Sequence, residues 1–164
     1  MGQQQPIGKD LNDHISAADP LWSRNDLWDA FSLQGRISPT HQALSAIVAV
    51  IGDGPVVAAI ASVEIGDDTY ETTGFDVTVW SDALVIRAVR SGGAETPVVS
   101  VQARSALTGL EILRAPIVTA TGFQARDERA EFRLTYPGRV VTLFERTGNR
   151  LTDLLPSLIR DLQA

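Results

Sequence analysis

Most of the side chains in this sequence that could do chemistry are carboxylates, and three of them share one loop. Asp67, Asp68 and Glu71 lie within five residues, and Asp53 lies in an earlier turn. Converging carboxylate oxygens bind hard cations such as Ca²⁺ and Mg²⁺, so a metal-dependent enzyme at residues 67–71 is one hypothesis. The spacing does not match an EF-hand loop, and acidic loop residues are more often solvated turn formers. This hypothesis ranks last, and no metal or other cofactor is predicted.

The remaining reactive residue types argue against catalysis. Cysteine is absent, which excludes disulfides, thiol nucleophiles and cysteine-ligated metals. His14 and His41 are the two histidines, and neither belongs to a recognisable zinc or catalytic motif. The segment Gly52–Gly54 lacks the third glycine of a dinucleotide-binding fingerprint, and no P-loop or Gly-x-Ser-x-Gly elbow is present. We therefore predict that the protein is not an enzyme.

The charge distribution argues against nucleic acid as a partner. The net charge is −6, and residues 1–82 carry three basic and twelve acidic groups, a balance of −9. Residues 83–164 carry eleven arginines and eight acids, a balance of +3. An acidic chain repels a phosphate backbone, so no nucleic-acid binding is expected. The arginines of the second half are interpreted as solvated groups at strand edges that deter aggregation.

The first ten residues are polar and show no signal-peptide pattern, which predicts a cytoplasmic protein. Residues 1–22 are predicted to be a flexible tail, and residues 23–36 an aromatic helix that begins at Ser23 and ends at Gly35. Trp22, Trp28 and Phe31 then either fold back onto the same domain or dock on a partner. Self-packing is the favoured interpretation.

A second helix is predicted from Ser38, as N-cap, and Pro39 to Ile51, before Gly52. The continuous apolar run over residues 43–51 also fits a buried strand, but the cap and the stop favour a helix. Strands dominate the chain after this point. They are predicted at Val56–Ile65, Phe75–Trp80, Ala83–Val89, Val98–Arg104, Leu110–Leu113, Ile117–Ala120, Glu131–Tyr136 and Arg139–Arg146.

The C-terminal segment over residues 150–163 is predicted to be an amphipathic helix that covers a sheet face or a barrel mouth. Six apolar residues recur at helical spacing on one stripe: Leu151, Leu154, Leu155, Leu158, Ile159 and Leu162. Pro156 cannot donate to the carbonyl four residues before it. A kink, or a regular helix that begins only near Leu155, is therefore expected.

About seven antiparallel strands followed by one amphipathic helix resemble a small bacterial pleckstrin homology-like domain. The hairpin from Phe75 to Arg87 and the end of the chain from Arg139 to Leu162 carry the resemblance, which covers residues 40–164. It implies a mainly β, α+β fold, an antiparallel barrel or sandwich with a C-terminal capping helix and one or two short N-terminal helices. One domain over residues 38–164 is expected.

The resemblance also allows one family ligand, the phosphoinositide head group, to be compared with this sequence. Family members that bind phosphoinositides use basic residues around the loop between the first two strands. Here that loop, Gly66–Gly74, holds three acids and no base, so no phosphoinositide membrane binding is expected.

The leading functional hypothesis is a non-catalytic binding or scaffold module. It would recognise a protein partner, a peptide or a second copy through a strand edge or the groove beside the C-terminal helix. Candidate binding residues are Trp22, Trp28, Phe31, Arg87 and Arg90. The alternative is a barrel that holds a small apolar ligand where interior side chains are small; its candidate residues are Ala58, Ala59, Ala61 and Ala103.

Overall fold

The computed structural model describes residues 4–23, 38–67, 72–92, 94–115, 129–144 and 151–164. Its helices are α1 (Gln4–Ala18), α2 (Pro20–Ser23), α3 (Pro39–Ile51) and α4 (Leu151–Gln163), with a 3₁₀-helix at Arg104–Ala106. Its strands are β1 (Val56–Ile65), β2 (Thr72–Ser81), β3 (Leu84–Arg90), β4 (Val98–Ala103), β5 (Gly109–Arg114), β6 (Glu131–Tyr136) and β7 (Arg139–Phe144). The predicted aromatic helix over residues 23–36 and the predicted strand over residues 117–120 lie outside the described residues, apart from Ser23 at the end of α2.

The strands form two sheets, and the mainly antiparallel β fold predicted from the sequence is confirmed. The first has the order β1-β2-β3-β4 and the second has the order β5-β6-β7. The β1–β2, β2–β3, β5–β6 and β6–β7 pairs are antiparallel. The described strands do not close into a barrel, so the barrel form of the prediction is not observed.

The chain divides into two compact units, Met1–Gln102 and Ala103–Ala164. The first holds α1 to α3 and almost all of the four-stranded sheet, and the second holds the three-stranded sheet and α4. The single domain predicted over residues 38–164 spans the boundary between these units. Over the described residues, no helix combines the length and the apolar character needed to cross a membrane.

The flexible tail predicted for residues 1–22 is wrong, because helix α1 occupies most of it and packs on β1. Leu11, Ile15 and Ala18 are buried at positions i, i+4 and i+7 of this helix. They join one hydrophobic core with Ala59 and Ala61 of β1, whose small side chains leave room for close packing. Scattered polar residues hide this short apolar stripe in the sequence.

Helix α3 forms as predicted, which decides between the helical and strand interpretations of residues 43–51. The Ser38 hydroxyl accepts a hydrogen bond from the His41 N–H at 3.2 Å, and Pro39 occupies the first helical position. Gly52, with φ of 61°, ends the helix, and its N–H donates to the Val48 carbonyl at 2.9 Å. The buried face of α3 belongs to the core of the first unit.

Helix α4 begins at Leu151 and passes through Pro156, so the late start predicted near Leu155 is wrong. Pro156 lies only one and a half turns into the helix and is exposed, so water can satisfy the carbonyl that loses its intrahelical donor. Leu154 and Leu158 are buried, whereas Ile159 and Leu162 on the same stripe are exposed. The helix therefore buries only part of its predicted apolar face.

A buried ion pair joins α4 to the 3₁₀-helix of the second unit. The Arg104 Nε donates to Asp161 Oδ2 at 2.8 Å, and its side chain is only 5% exposed. The same guanidinium also donates to the Ser157 hydroxyl. These two contacts stabilise the Arg104 guanidinium, whose charge would otherwise be costly to bury.

Candidate functional site

Trp22, a candidate binding residue, belongs to the hydrophobic core of the first unit. It is 0% exposed, and its ring lies edge-on to Phe75 with centroids 5.4 Å apart. Its Nε1–H donates to Asn12 Oδ1 at 3.0 Å, so the one polar atom of the indole is satisfied within the chain. Trp28 and Phe31, the other predicted aromatic residues, lie outside the described residues.

Both predicted binding arginines have partners inside the first unit. Arg87 donates to Asp76 on the neighbouring strand through Nε at 2.8 Å and through a second guanidinium nitrogen. This hydrogen bond is the main cause of a raised pKa of Arg87. Arg90 donates to the carbonyls of Ala94 at 2.9 Å and Thr72 at 2.8 Å, which ties together the ends of adjacent strands.

Part of the acidic loop of the metal hypothesis lies outside the described residues. Asp67 is exposed, and residues 68–71 lie outside the described part of the chain. Among the described residues, no three His, Cys, Asp or Glu side chains come close enough together to hold a metal ion.

The four alanines of the small-ligand hypothesis do not share one environment. Ala59 and Ala61 are buried in the core that β1 forms with the N-terminal helices. Ala58 is half-buried and Ala103 is exposed. The buried pair therefore accommodates packing helices.

One close serine–histidine contact occurs at the start of α3. The Ser38 hydroxyl lies 2.8 Å from His41 Nδ1 and 2.8 Å from the Thr40 hydroxyl. A hydroxyl beside a neutral imidazole resembles an activated nucleophile, and burial lowers the pKa of His41. However, Ser38 is buried and already caps the helix, so the contact is structural.

The other histidine, His14, has a carboxylate neighbour that the sequence analysis missed. His14 Nδ1 lies 3.5 Å from Asp10 Oδ1, one helical turn earlier, and 2.9 Å from the Asp10 carbonyl oxygen. The i, i+4 spacing on a helix was the signal that pointed to this contact. The side chains of His14 and Asp10 are 37% and 58% exposed, so the pair is a helix-surface interaction.

The edge of the four-stranded sheet at β1 is protected by the N-terminal segment. The N–H of Val63 donates to the carboxylate of Asp19 at 3.0 Å, a bond that reaches across 44 residues of sequence. The same carboxylate accepts the N–H of Leu21 at 3.0 Å at the start of α2. Asp19 is buried, and its hydrogen bond from Val63 is shielded from water, whereas the bond from Leu21 is partly buried.

The opposite end of the described sheet has no comparable cover at the residues Val98–Val101, which we call the β4 edge. Val98 is 72% exposed and Val101 is 43% exposed. Alternate residues of a strand point to opposite faces, so the β4 edge exposes a valine on each face. Val99, on the same face as Val101, packs against the core of the first unit.

Strand β7, at one end of the three-stranded sheet, is covered on one face only. Val140 and Phe144 of β7 are exposed, but Val141 and Leu143 between them are buried. One face of β7 is therefore covered and the other faces solvent, as in most antiparallel sheets. The β4 edge exposes apolar side chains on both faces, as β5 does with Ile112 and Leu113, but β4 differs from β5 because it carries no charged residue.

No protein-family model matches the sequence, and the comparison with curated proteins found no match. Among solved structures, the chain is similar to the hSac2 domain from human phosphoinositide phosphatase Sac2. The sequence identity is 13% and the TM-score is 0.37, over 74% of this chain and 79% of that chain. Similarity at this level assigns neither a family nor a function.

Proposed function

We propose that this protein is a non-catalytic binding module whose β4 edge accepts an extended protein segment as an added strand. The observation that carries the proposal is the exposure of Val98 and Val101 on opposite faces of a terminal strand. An edge strand presents backbone donors and acceptors to a partner strand, and its side chains provide the specificity.

The composition of β4 supports this proposal. Edge strands that avoid pairing usually carry a lysine, an inward-pointing charge, a proline or a bulge. From Val98 to Ala103 the strand contains no charged residue and no proline. Pro97 immediately precedes the strand, where it leaves the strand's own N–H groups intact.

The position of Val99 supports an added strand in particular. Its side chain packs against the core of the first unit, whereas Val101 on the same face is 43% exposed. An apolar residue of an added strand would lie beside Val101 and would extend the core face by one strand. The partner segment is therefore expected to be uncharged and apolar on that face.

A second candidate surface is the exposed part of helix α4. Ile159 and Leu162 are exposed on the stripe whose other members, Leu154 and Leu158, are buried. Their spacing suits a helix or loop that lies along α4, which was the groove predicted from the sequence. We rank it second because the uncovered apolar residues are confined to one side of one helix.

The wider predictions from the sequence accompany this proposal. Seven strands followed by a C-terminal helix support the resemblance to pleckstrin homology-like domains. We also propose a cytoplasmic location, and the acidic composition supports a protein partner over nucleic acid. The Ser38–His41 contact, the His14–Asp10 pair and the buried alanines all have structural roles, so the proposal includes neither enzymatic activity nor small-ligand binding.

The experiment is a selection of displayed random peptides against the purified full chain. Selected peptides should be uncharged and apolar at alternate positions, and should slow amide exchange at Val98–Val101 on binding. Val101→Lys should weaken them by at least about tenfold, because a lysine blunts a pairing edge. The matched control is Val140→Lys on β7, whose valine is 59% exposed and whose substitution should leave binding unchanged.

Two outcomes would overturn the proposal. One is the selection of peptides that protect helix α4 and are lost on Ile159→Lys; that result would favour the second surface. The other is a selection that yields no peptide sensitive to Val101→Lys.

A further inference from the structure

We infer that the partner strand of the β4 edge is the β4 strand of a second copy of this chain, in antiparallel orientation. This inference rests on the proposed function, because it names the occupant of the same edge. Two identical strands can pair about a two-fold axis, which closes the assembly as a dimer. The strand from Val98 to Ala103 is uncharged, so such pairing opposes no like charges within it.

The sequence of β4 is complementary to itself in one register. Pairing about Ser100 places Val99 of each copy opposite Val101 of the other, on the face that already packs against the core. The two serines then lie opposite each other on the second face. Opposite residues are both odd-numbered or both even-numbered in this register, so each face of the sheet continues across the pair.

The neighbouring register is less favourable. Pairing about Val101 would place Val98 opposite Arg104, which is buried and bonded to Asp161. Pairing about Ser100 keeps Arg104 outside the matched strands. The geometry therefore favours one register over its nearest alternative.

The expected dimer is weak and strengthened by salt. Five paired residues on each side bury less surface than the roughly 1,000 Å² expected of a stable interface, so a Kd on the order of 100 µM is expected. Each copy carries a net charge of −6, and the two copies repel one another at long range. Added salt screens this repulsion, so association should tighten as ionic strength rises.

The test uses the absence of cysteine from the chain, which makes any introduced cysteine the sole thiol. Ser100→Cys should form a disulfide-linked dimer under mild oxidation. Opposite residues in an antiparallel pair have Cα atoms about 4.5–5.5 Å apart, within the range that a disulfide spans. The control is Val98→Cys, at a position that is also exposed but lies four residues, about 14 Å, out of register with its own copy. It should remain largely monomeric.

Sedimentation of the unmodified protein from about 10 µM to 1 mM supplies an independent measurement. The dimer fraction should increase with concentration and with salt, and Val101→Lys should weaken association at least about tenfold. Val140→Lys should leave association unchanged. A chain that stays monomeric up to 1 mM, or Val98→Cys that crosslinks as fast as Ser100→Cys, would overturn the inference.

The inference and the proposed function can fail separately. A monomeric protein whose β4 edge still binds selected peptides would retain the proposed function with a foreign segment as its occupant. A protein that neither dimerises nor binds peptides through this edge would fail both. If the dimer exists, selected peptides should compete with it, because both occupy the same backbone groups.

Discussion

The two terminal strands of the four-stranded sheet are similar in sequence and different in surroundings. β1 and β4 are both rich in valine and alanine, and neither contains a proline. Helix α1 packs on β1, and Asp19 accepts the N–H of Val63 on that strand. The β4 edge instead leaves Val98 and Val101 exposed.

This difference shows that a strand's own composition does not determine whether it is available for pairing. An apolar edge is suppressed when another segment of the chain satisfies its backbone groups and covers its side chains. At β1 a single buried carboxylate and a short helix supply that cover. The same sheet therefore has one edge integrated into the core and one that leaves apolar side chains exposed.

The largest expected effect on stability comes from replacing Trp22, the buried tryptophan in the core of the first unit. Trp22→Ala should lower the free energy of unfolding by about 3–5 kcal/mol, because the indole is fully buried against Phe75. Chemical denaturation monitored by circular dichroism measures this change. Phe144→Ala, at an exposed aromatic residue of β7, is the control and should change stability by no more than about 0.5 kcal/mol. A fully stable Trp22→Ala protein that loses self-association would show that the tryptophan docks on a partner.

A smaller loss is expected when the polar contact at the β1 edge is removed. Asp19→Ala leaves the N–H groups of Val63 and Leu21 without their acceptor and should cost about 2–4 kcal/mol. Asp19→Asn keeps one acceptor oxygen and should cost less. Asp13→Ala, at an exposed position of α1, should have almost no effect on the denaturation midpoint. Equal stability of Asp13→Ala and Asp19→Ala would mean that the Asp19 contacts do not stabilise the edge.

Helix α3, which packs against α1 and β3, should also respond to acid through His41. Burial lowers the pKa of His41 below its usual 6.5, so the folded state disfavours the protonated ring. Stability is therefore complete above pH 6.5 and falls as the pH drops below it. The loss in melting temperature between pH 7.5 and pH 5 should be greater for the unmodified protein than for His41→Gln, and an equal loss would assign the acid response to other groups.

The smallest effect on the free energy of unfolding is expected at the β4 edge. Val98→Lys should change the free energy of unfolding by no more than about 0.5 kcal/mol, because the side chain is already mostly in water. The same substitution at Val63 on β1 buries a charge and should cost at least about 2 kcal/mol. If both substitutions cost the same in thermal and chemical denaturation, the two edges are not different and the proposed interface loses its basis.

The fold was largely predictable wherever one local signal was strong. The predicted bounds of β1 and β6 agree with the structure, and Ser38, Pro39 and Gly52 predicted the ends of α3. Helix α1 was missed because its apolar residues are few and separated by polar ones. Its stability depends on packing against the alanines of β1, which a local pattern does not reveal.

The candidate site was less predictable than the fold. The sequence predicted a strand edge without indicating which one, and three of its proposed binding residues have partners within the chain: Trp22, Arg87 and Arg90. Aromatic and arginine side chains are as useful in a core or a cross-strand pair as in an interface. Their types therefore did not distinguish the two roles.

The sequence by itself determined the type of most elements from α3 onward, because caps, turns and the spacing of apolar residues act over a few positions. It also determined the absence of cysteine chemistry and the acidic charge. Only the tertiary structure decided which edge is covered and which apolar residues are exposed. Asp19 and Val63 are 44 residues apart, and α4 buries Leu158 while leaving Ile159 in water. Such contacts depend on where distant segments pack, and local sequence does not encode them.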